Sequence, residues 1–127
     1  MTEEKNAKKI LIIDDEKALV SGLYTLLKSQ GYLPISAYDG LFGISLAHTE
    51  NPDLIILDLG LPAGGGLYVL ENLKNSIETH DIPVLVLTAQ QGADLEEKVK
   101  LMGTAAYFHK PFDSQQLLSR IGDILNK

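Results

Sequence analysis

Three short uninterrupted apolar runs, Ile10 to Ile13, Leu54 to Leu57 and Val84 to Leu87, stand at wide intervals along the chain. Runs of isoleucine, leucine and valine without polar alternation are the pattern of strands buried on both faces of a parallel sheet. Leu33 to Tyr38 and Ala105 to His109 are weaker segments that read as two further strands. Between these runs the apolar residues return at helical spacing. Leu19, Leu23, Leu26 and Leu27 share one face after Asp14-Asp15-Glu16, and Gly31 closes that helix. A second helix covers Leu41 to Thr49 and stops at Asn51-Pro52, and a third carries Leu67, Leu70 and Leu73. Beyond the loop Ala89 to Ala93, Asp94 and Glu97 have the form of a capping box opening a fourth helix that ends at Gly103. Asp113 and Gln116 open the fifth, with Leu117, Leu118, Ile121, Ile124 and Leu125 as its apolar stripe. Five strands alternating with five helices predict right-handed crossovers and a doubly wound α/β fold, a parallel sheet with helices on both faces.

A length of 127 residues, 45% of them hydrophobic and 22% charged, suits one domain and leaves no room for a second catalytic one. Residues 1–8 read as a polar leader and 9–127 as the folded domain. The chain has no cysteine, which excludes a disulfide framework, a thiolate metal site and a cysteine nucleophile. The longest apolar stretches, ending with Ile82 to Leu87, fall far short of the roughly 18 residues that span a bilayer. Met1 to Asn6 lacks the basic stretch and apolar core of a secretory signal, so a cytoplasmic protein is expected. Eleven Lys and Arg against 17 Asp and Glu give a net charge of −6, which repels a phosphate backbone. The one basic concentration, Lys5, Lys8 and Lys9, lies in the leader or at its edge, so no direct nucleic-acid binding is expected.

Open parallel sheets bind ligands outside the carboxyl ends of their strands, where strand order reverses. Strand one ends in Asp14-Asp15, strand three in Asp58, strand four in Thr88 and strand five in Lys110, followed by Pro111. Singly, each has a structural explanation. Asp14 or Asp15 can cap a helix, Asp58 can make an Asx turn, Thr88 is a common strand residue and Lys110 can be a solvated charge. Their convergence changes the picture, because three carboxylates and one lysine sum to −2, the charge that one divalent ion neutralises. Oxygen ligands of this number favour Mg²⁺, which keeps waters and phosphate oxygens in its remaining positions. A hard cation beside a carboxylate, an ammonium and a hydroxyl is suited to phosphoryl transfer. Asp58, on the middle strand, is the best-placed nucleophile, and Asp14 and Asp15 would be metal ligands.

The runs Ile13-Asp14-Asp15-Glu16, Leu57 to Pro62, Leu87-Thr88-Ala89 and Tyr107 to Phe112 resemble the receiver domain of two-component response regulators, over about residues 8 to 126. The resemblance implies a flavodoxin-like fold with strand order 2-1-3-4-5. It implies phosphorylation of Asp58 by a sensor histidine kinase or a histidine phosphotransfer protein. It implies Mg²⁺ held by Asp15, Asp58 and the Gly60 carbonyl, with Asp14 acting mostly through a bound water. Lys110 would contact the phosphoryl oxygens, and the Lys110-Pro111 bond is similar to one usually cis in the family. Thr88 would swing toward the phosphoryl group and Tyr107 would follow it inward. The surface of the fourth helix, fifth strand and fifth helix would then change for a downstream partner or for a phosphorylation-linked homodimer. Such a chain is no enzyme beyond its own phosphorylation and dephosphorylation.

Three features depart from the family pattern. Gly60 stands two residues after the acceptor, where the family more often has a larger side chain, so a shortened phosphorylated lifetime is expected. Ala63-Gly64-Gly65-Gly66 holds three consecutive glycines, from which a loop mobile without metal is expected. His109 occupies a position usually apolar. With residue 127 at the end of the fifth helix, the chain reads as a signalling module with no output domain of its own, acting through a partner. Other readings are weaker. An aspartate-nucleophile phosphatase of the haloacid dehalogenase type wants Asp-x-Asp on the first strand, and a flavin carrier wants a Ser/Thr-rich phosphate loop there. A receiver-like interaction scaffold that has lost its switch is the alternative, ranked below the main reading because every site residue is present.

Overall fold

A computed structural model describes residues 7–62 and 65–126. The leader expected over residues 1–8 therefore lies mostly outside the described residues, as do Ala63 and Gly64 of the glycine-rich loop. Five strands, β1 (Lys9–Ile13), β2 (Leu33–Ala37), β3 (Leu54–Leu57), β4 (Val84–Thr88) and β5 (Ala106–His109), form one sheet of order β2-β1-β3-β4-β5. All four pairings are parallel. The expected doubly wound sheet is therefore the observed one. Strand order reverses beside β1, which opens a crevice at the carboxyl ends of β1 and β3.

The helices are α1 (Lys17–Ser29), α2 (Gly40–Glu50), α3 (Gly65–Lys74), α4 (Ala93–Leu101) and α5 (Ser114–Leu125). Alternating strand residues divide between two cores. Ile10, Ile12, Leu54, Ile56, Leu85 and Leu87 meet Val20, Leu23 and Leu27 of α1 and Leu117 and Ile121 of α5. Leu11, Ile13, Ile55, Leu57, Val84 and Val86 meet Ala47 of α2, Val69, Leu70 and Leu73 of α3, and Val99 of α4. Two-sided burial is why β1, β3 and β4 show no polar alternation.

Local signals set the ends of these elements. Gly31 has φ +89°, its N–H bonds to the Lys28 carbonyl at 3.1 Å, and the Tyr32 N–H reaches the Leu27 carbonyl at 3.1 Å. This is the Schellman closure, and its left-handed residue is the expected glycine. Asp39 caps α2 by accepting the Phe42 N–H at 2.8 Å, and Asp113 caps α5 by accepting the Gln116 N–H at 3.0 Å. The opening of α4 differs from expectation. Gly92, at φ +131°, is its N-cap and no side chain bonds there, so Asp94 is not the cap and lies in the first turn with Glu96. A positive-φ glycine turns the chain there without a capping side chain, and the two carboxylates act on the exposed N–H groups of the helix start.

Gly66 brings α3 against the site. A Cβ on it would stand 2.4 Å from the Leu59 Cα and 2.5 Å from the Asp58 carbonyl oxygen. Only a residue without a side chain lets α3 begin directly on the backbone leaving β3.

Candidate functional site

The site residues continue the ladders of the sheet. The Asp14 N–H bonds to the Ala37 carbonyl at 3.1 Å, the Asp58 N–H to the Ile13 carbonyl at 3.0 Å, and the Lys110 N–H to the Thr88 carbonyl at 2.9 Å. Sheet register thus places Asp14, Asp58 and Lys110 one step beyond their strands, at one edge.

The two buried aspartates fold back on their own chain in the same way. Asp14 Oδ1 accepts the Glu16 N–H at 2.9 Å, and Asp58 Oδ1 accepts the Gly60 N–H at 2.9 Å. Both are Asx turns, so the structural and functional readings of these residues hold together. Each turn fixes one oxygen and leaves Oδ2 for Lys110, at 2.8 Å from Asp14 and 3.3 Å from Asp58. Lys110 Nζ also donates to Glu16 Oε1 at 2.6 Å. Asp14 is 2% exposed and Asp58 6%, so both carboxylates sit largely out of water.

Burial raises the pKa of Asp14, and the neighbouring Asp58 charge adds to it, against the lowering by the Lys110 and Glu16 N–H hydrogen bonds. Burial also works against the Lys110 ammonium. Its hydrogen bonds to Asp14 and Glu16 outweigh this and push its pKa up, so Lys110 is charged throughout the physiological range.

Oxygens of Asp14, Glu16 and Asp58 lie within 4.8 Å of one another. With Lys110 as the cation among them the group carries −2, and a hard divalent ion suits that oxygen set. The membership differs from the expected one. Asp15 is exposed and stands outside this group, while Glu16, unmarked in the sequence, is inside it. The Asx turn of Asp14 explains Glu16: by drawing in the Glu16 N–H it brings that residue back toward the crevice. An aspartate on a strand end followed two residues on by a glutamate is the signal that was present. Gly60, exposed, sits on the rim.

Thr88 is fully buried, and its hydroxyl accepts the Gln90 N–H at 3.1 Å. Tyr107 packs against the core of α2, α3 and α4 and stands edge-on to His109, with ring centroids 5.2 Å apart at 70°. Its hydroxyl is buried and has no hydrogen-bond partner among the described residues. Burial, and secondarily the Glu96 charge, raises its pKa, so it is a neutral phenol. The Lys110–Pro111 peptide bond is cis, as the resemblance implied.

The response regulator receiver domain family matches residues 10–122, and the chain belongs to that family. It is 33% identical over 123 residues to the phosphate regulon transcriptional regulatory protein PhoB of Escherichia coli K12, covering 95% of this chain and 53% of that protein. It is 39% identical over 121 residues to the DNA-binding dual master transcriptional regulator RpaA of Synechocystis, covering 94% of this chain and 49% of that one. The chain thus spans about half the length of these curated relatives. Among solved structures, a CheY-like response regulator receiver domain protein from Methanospirillum hungatei superposes with a TM-score of 0.88 at 25% identity, over 94% of each chain. Among the described residues, no helix is long and apolar enough to cross a membrane.

Proposed function

We propose that this receiver domain accepts a phosphoryl group on Asp58 in a Mg²⁺-dependent reaction and passes the change to a partner. The observation that carries this reading is the placement of Asp58 Oδ2. It is buried, free of the Asx turn, and faced by a charged lysine at 3.3 Å. An Asp58 oxygen forms the new P–O bond as the P–N bond of a phosphohistidine breaks, and the electron pair leaves with the imidazole nitrogen. No proton need leave Asp58, which attacks as a carboxylate. Lys110 is already charged and donates to the phosphoryl oxygens as negative charge gathers on them. Asp14, Asp15, Asp58 and the Gly60 carbonyl are the residues that would hold the ion. When bound, Mg²⁺ supplies charge neutralisation at those oxygens. A sensor histidine kinase or a phosphotransfer protein is the donor.

Phosphorylation adds nearly two negative charges and three acceptor oxygens, and Thr88, whose hydroxyl now accepts the Gln90 N–H, answers one of them by turning to donate its O–H. Tyr107 follows, because its hydroxyl gains nothing where it lies. The face of α4, β5 and α5 is then the surface read by an output partner or by a second copy of the chain. Transcriptional control belongs by name to PhoB and RpaA; for this chain, at net charge −6, we assign no direct DNA contact. The chain acts as a cytoplasmic phosphoacceptor rather than as an enzyme on other substrates. Titration with beryllofluoride and Mg²⁺, read by amide NMR, tests this switch. Shifts at Thr88 and Tyr107 are expected, and shifts confined to the residues around Asp58 would overturn it.

A further inference from the structure

The shortest contact in the acidic cluster belongs to a residue with no part in the reaction proposed above. Lys110 Nζ lies 2.6 Å from Glu16 Oε1, 2.8 Å from Asp14 Oδ2 and 3.3 Å from Asp58 Oδ2. An ammonium has three N–H donors and no acceptor, so these three oxygens use all of them. Charge-assisted bonds are typically about 2.7–2.9 Å long, and the bond to Asp58 is the longest of the three. The Glu16 side chain is 61% exposed, against 3% for Asp14 and 7% for Asp58. Glu16 reaches the ammonium from the solvent side, while the two aspartates are fixed by their turns.

We infer that Glu16 is a positioning residue that holds the Lys110 ammonium away from Asp58 in the unphosphorylated protein and slows phosphoryl transfer until that pair opens. This inference rests on the reading of Asp58 as phosphoacceptor. Lys110 has no fourth donor, so an arriving phosphoryl oxygen takes over a bond from one of the three carboxylates, and Glu16, the exposed one and the one not fixed by a turn, is the one free to swing away. Water screens an exposed ion pair and keeps it weak, which suits a latch that opens in every cycle. Glu16 would also slow the reaction by merely repelling an anionic donor. Glu16→Asp separates the two effects, since it keeps the charge and loses the reach by one methylene.

The test uses the full chain, with Glu16→Gln and Glu16→Asp beside the wild type. Lysine side-chain NMR without any phosphodonor reads Lys110 directly, and intact-protein mass spectrometry at saturating Mg²⁺ reads the rate of modification by acetyl phosphate. Both variants are expected to shift the Lys110 signal and to hasten exchange of its ammonium protons. Both are expected to phosphorylate about two- to fivefold faster, the factor set by releasing one exposed ion pair. A Lys110 signal unmoved in both variants overturns the latch, and so does a wild-type rate in Glu16→Asp beside a faster Glu16→Gln. Failure of the underlying reading looks different: the wild type itself would take no adduct on Asp58, and the kinetic claim would fall with it.

Discussion

A Cβ on Gly60 would stand 3.3 Å from Asp58 Oδ1 and 3.5 Å from Oδ2, so any larger residue there crowds the Asp58 carboxylate. Glycine leaves that approach open to water as well as to a donor. Gly60→Met is therefore expected to slow dephosphorylation about threefold or more, an effect the size of one lost approach path for water. Equal decay of the two phosphorylated proteins, followed side by side, would sink the idea. Asp14 shows the cost of gathering carboxylates. Its folded pKa is raised by burial and by Asp58, so its contribution to stability is complete only at acid pH and falls as pH rises through the folded value. Asp14→Asn removes that penalty. In chelator at pH 7 the variant is expected to melt a few degrees above wild type, with the gap closing below about pH 4, where the aspartate is protonated in both states. A variant less stable than wild type at pH 7 would contradict this assignment.

At the scale of elements, β1, β3 and β4 were legible because burial on both faces leaves an unbroken apolar run of four residues in each. The ends of α1 and α5 were legible for a local reason: Gly31 and Asp113 satisfy backbone groups within a few residues of themselves. The opening of α4 was not, because a positive-φ Gly92 there has no side-chain signature and Asp94 with Glu97 imitates a cap. Gly66 shows how far an element can be set by a single missing methyl group. Gly66→Ala pushes a Cβ into the backbone of Asp58 and Leu59, and is expected to destabilise the fold by about 1–3 kcal/mol as overpacking does. Because the strain falls on the carbonyl of Asp58, the proposed acceptor, phosphorylation of the folded fraction should slow too. Thermal melts paired with phosphorylation rates check this, and a variant that melts and reacts like the wild type would refute the close approach.

Across the whole molecule, the crevice exists because strand order reverses beside β1, and this brings Asp14, Asp58, Thr88 and Lys110 to one edge although 96 residues separate the first from the last. Spacing along the chain made Asp14, Asp58, Thr88 and Lys110 legible, since the strand ends carry them. Glu16 was hidden because its role depends on a turn that only the folded chain makes. The same edge gathers negative charge that folding alone does not compensate, so a bound cation should stabilise the entire domain. Mg²⁺ at about one hundred times its dissociation constant adds about 2.7 kcal/mol to a protein that binds it only when folded. A rise in melting temperature with Mg²⁺ is expected for the wild type and a much smaller one for Asp14→Asn; equal rises would remove Asp14 from the ligand set.

Whether Asp58 is the residue modified is read by intact-protein mass spectrometry after incubation with acetyl phosphate, with and without Mg²⁺ and with Asp58→Asn alongside. A single phosphoryl adduct that requires Mg²⁺ and vanishes in the variant is expected. An adduct that persists in Asp58→Asn, or that forms equally well without the metal, would contradict it.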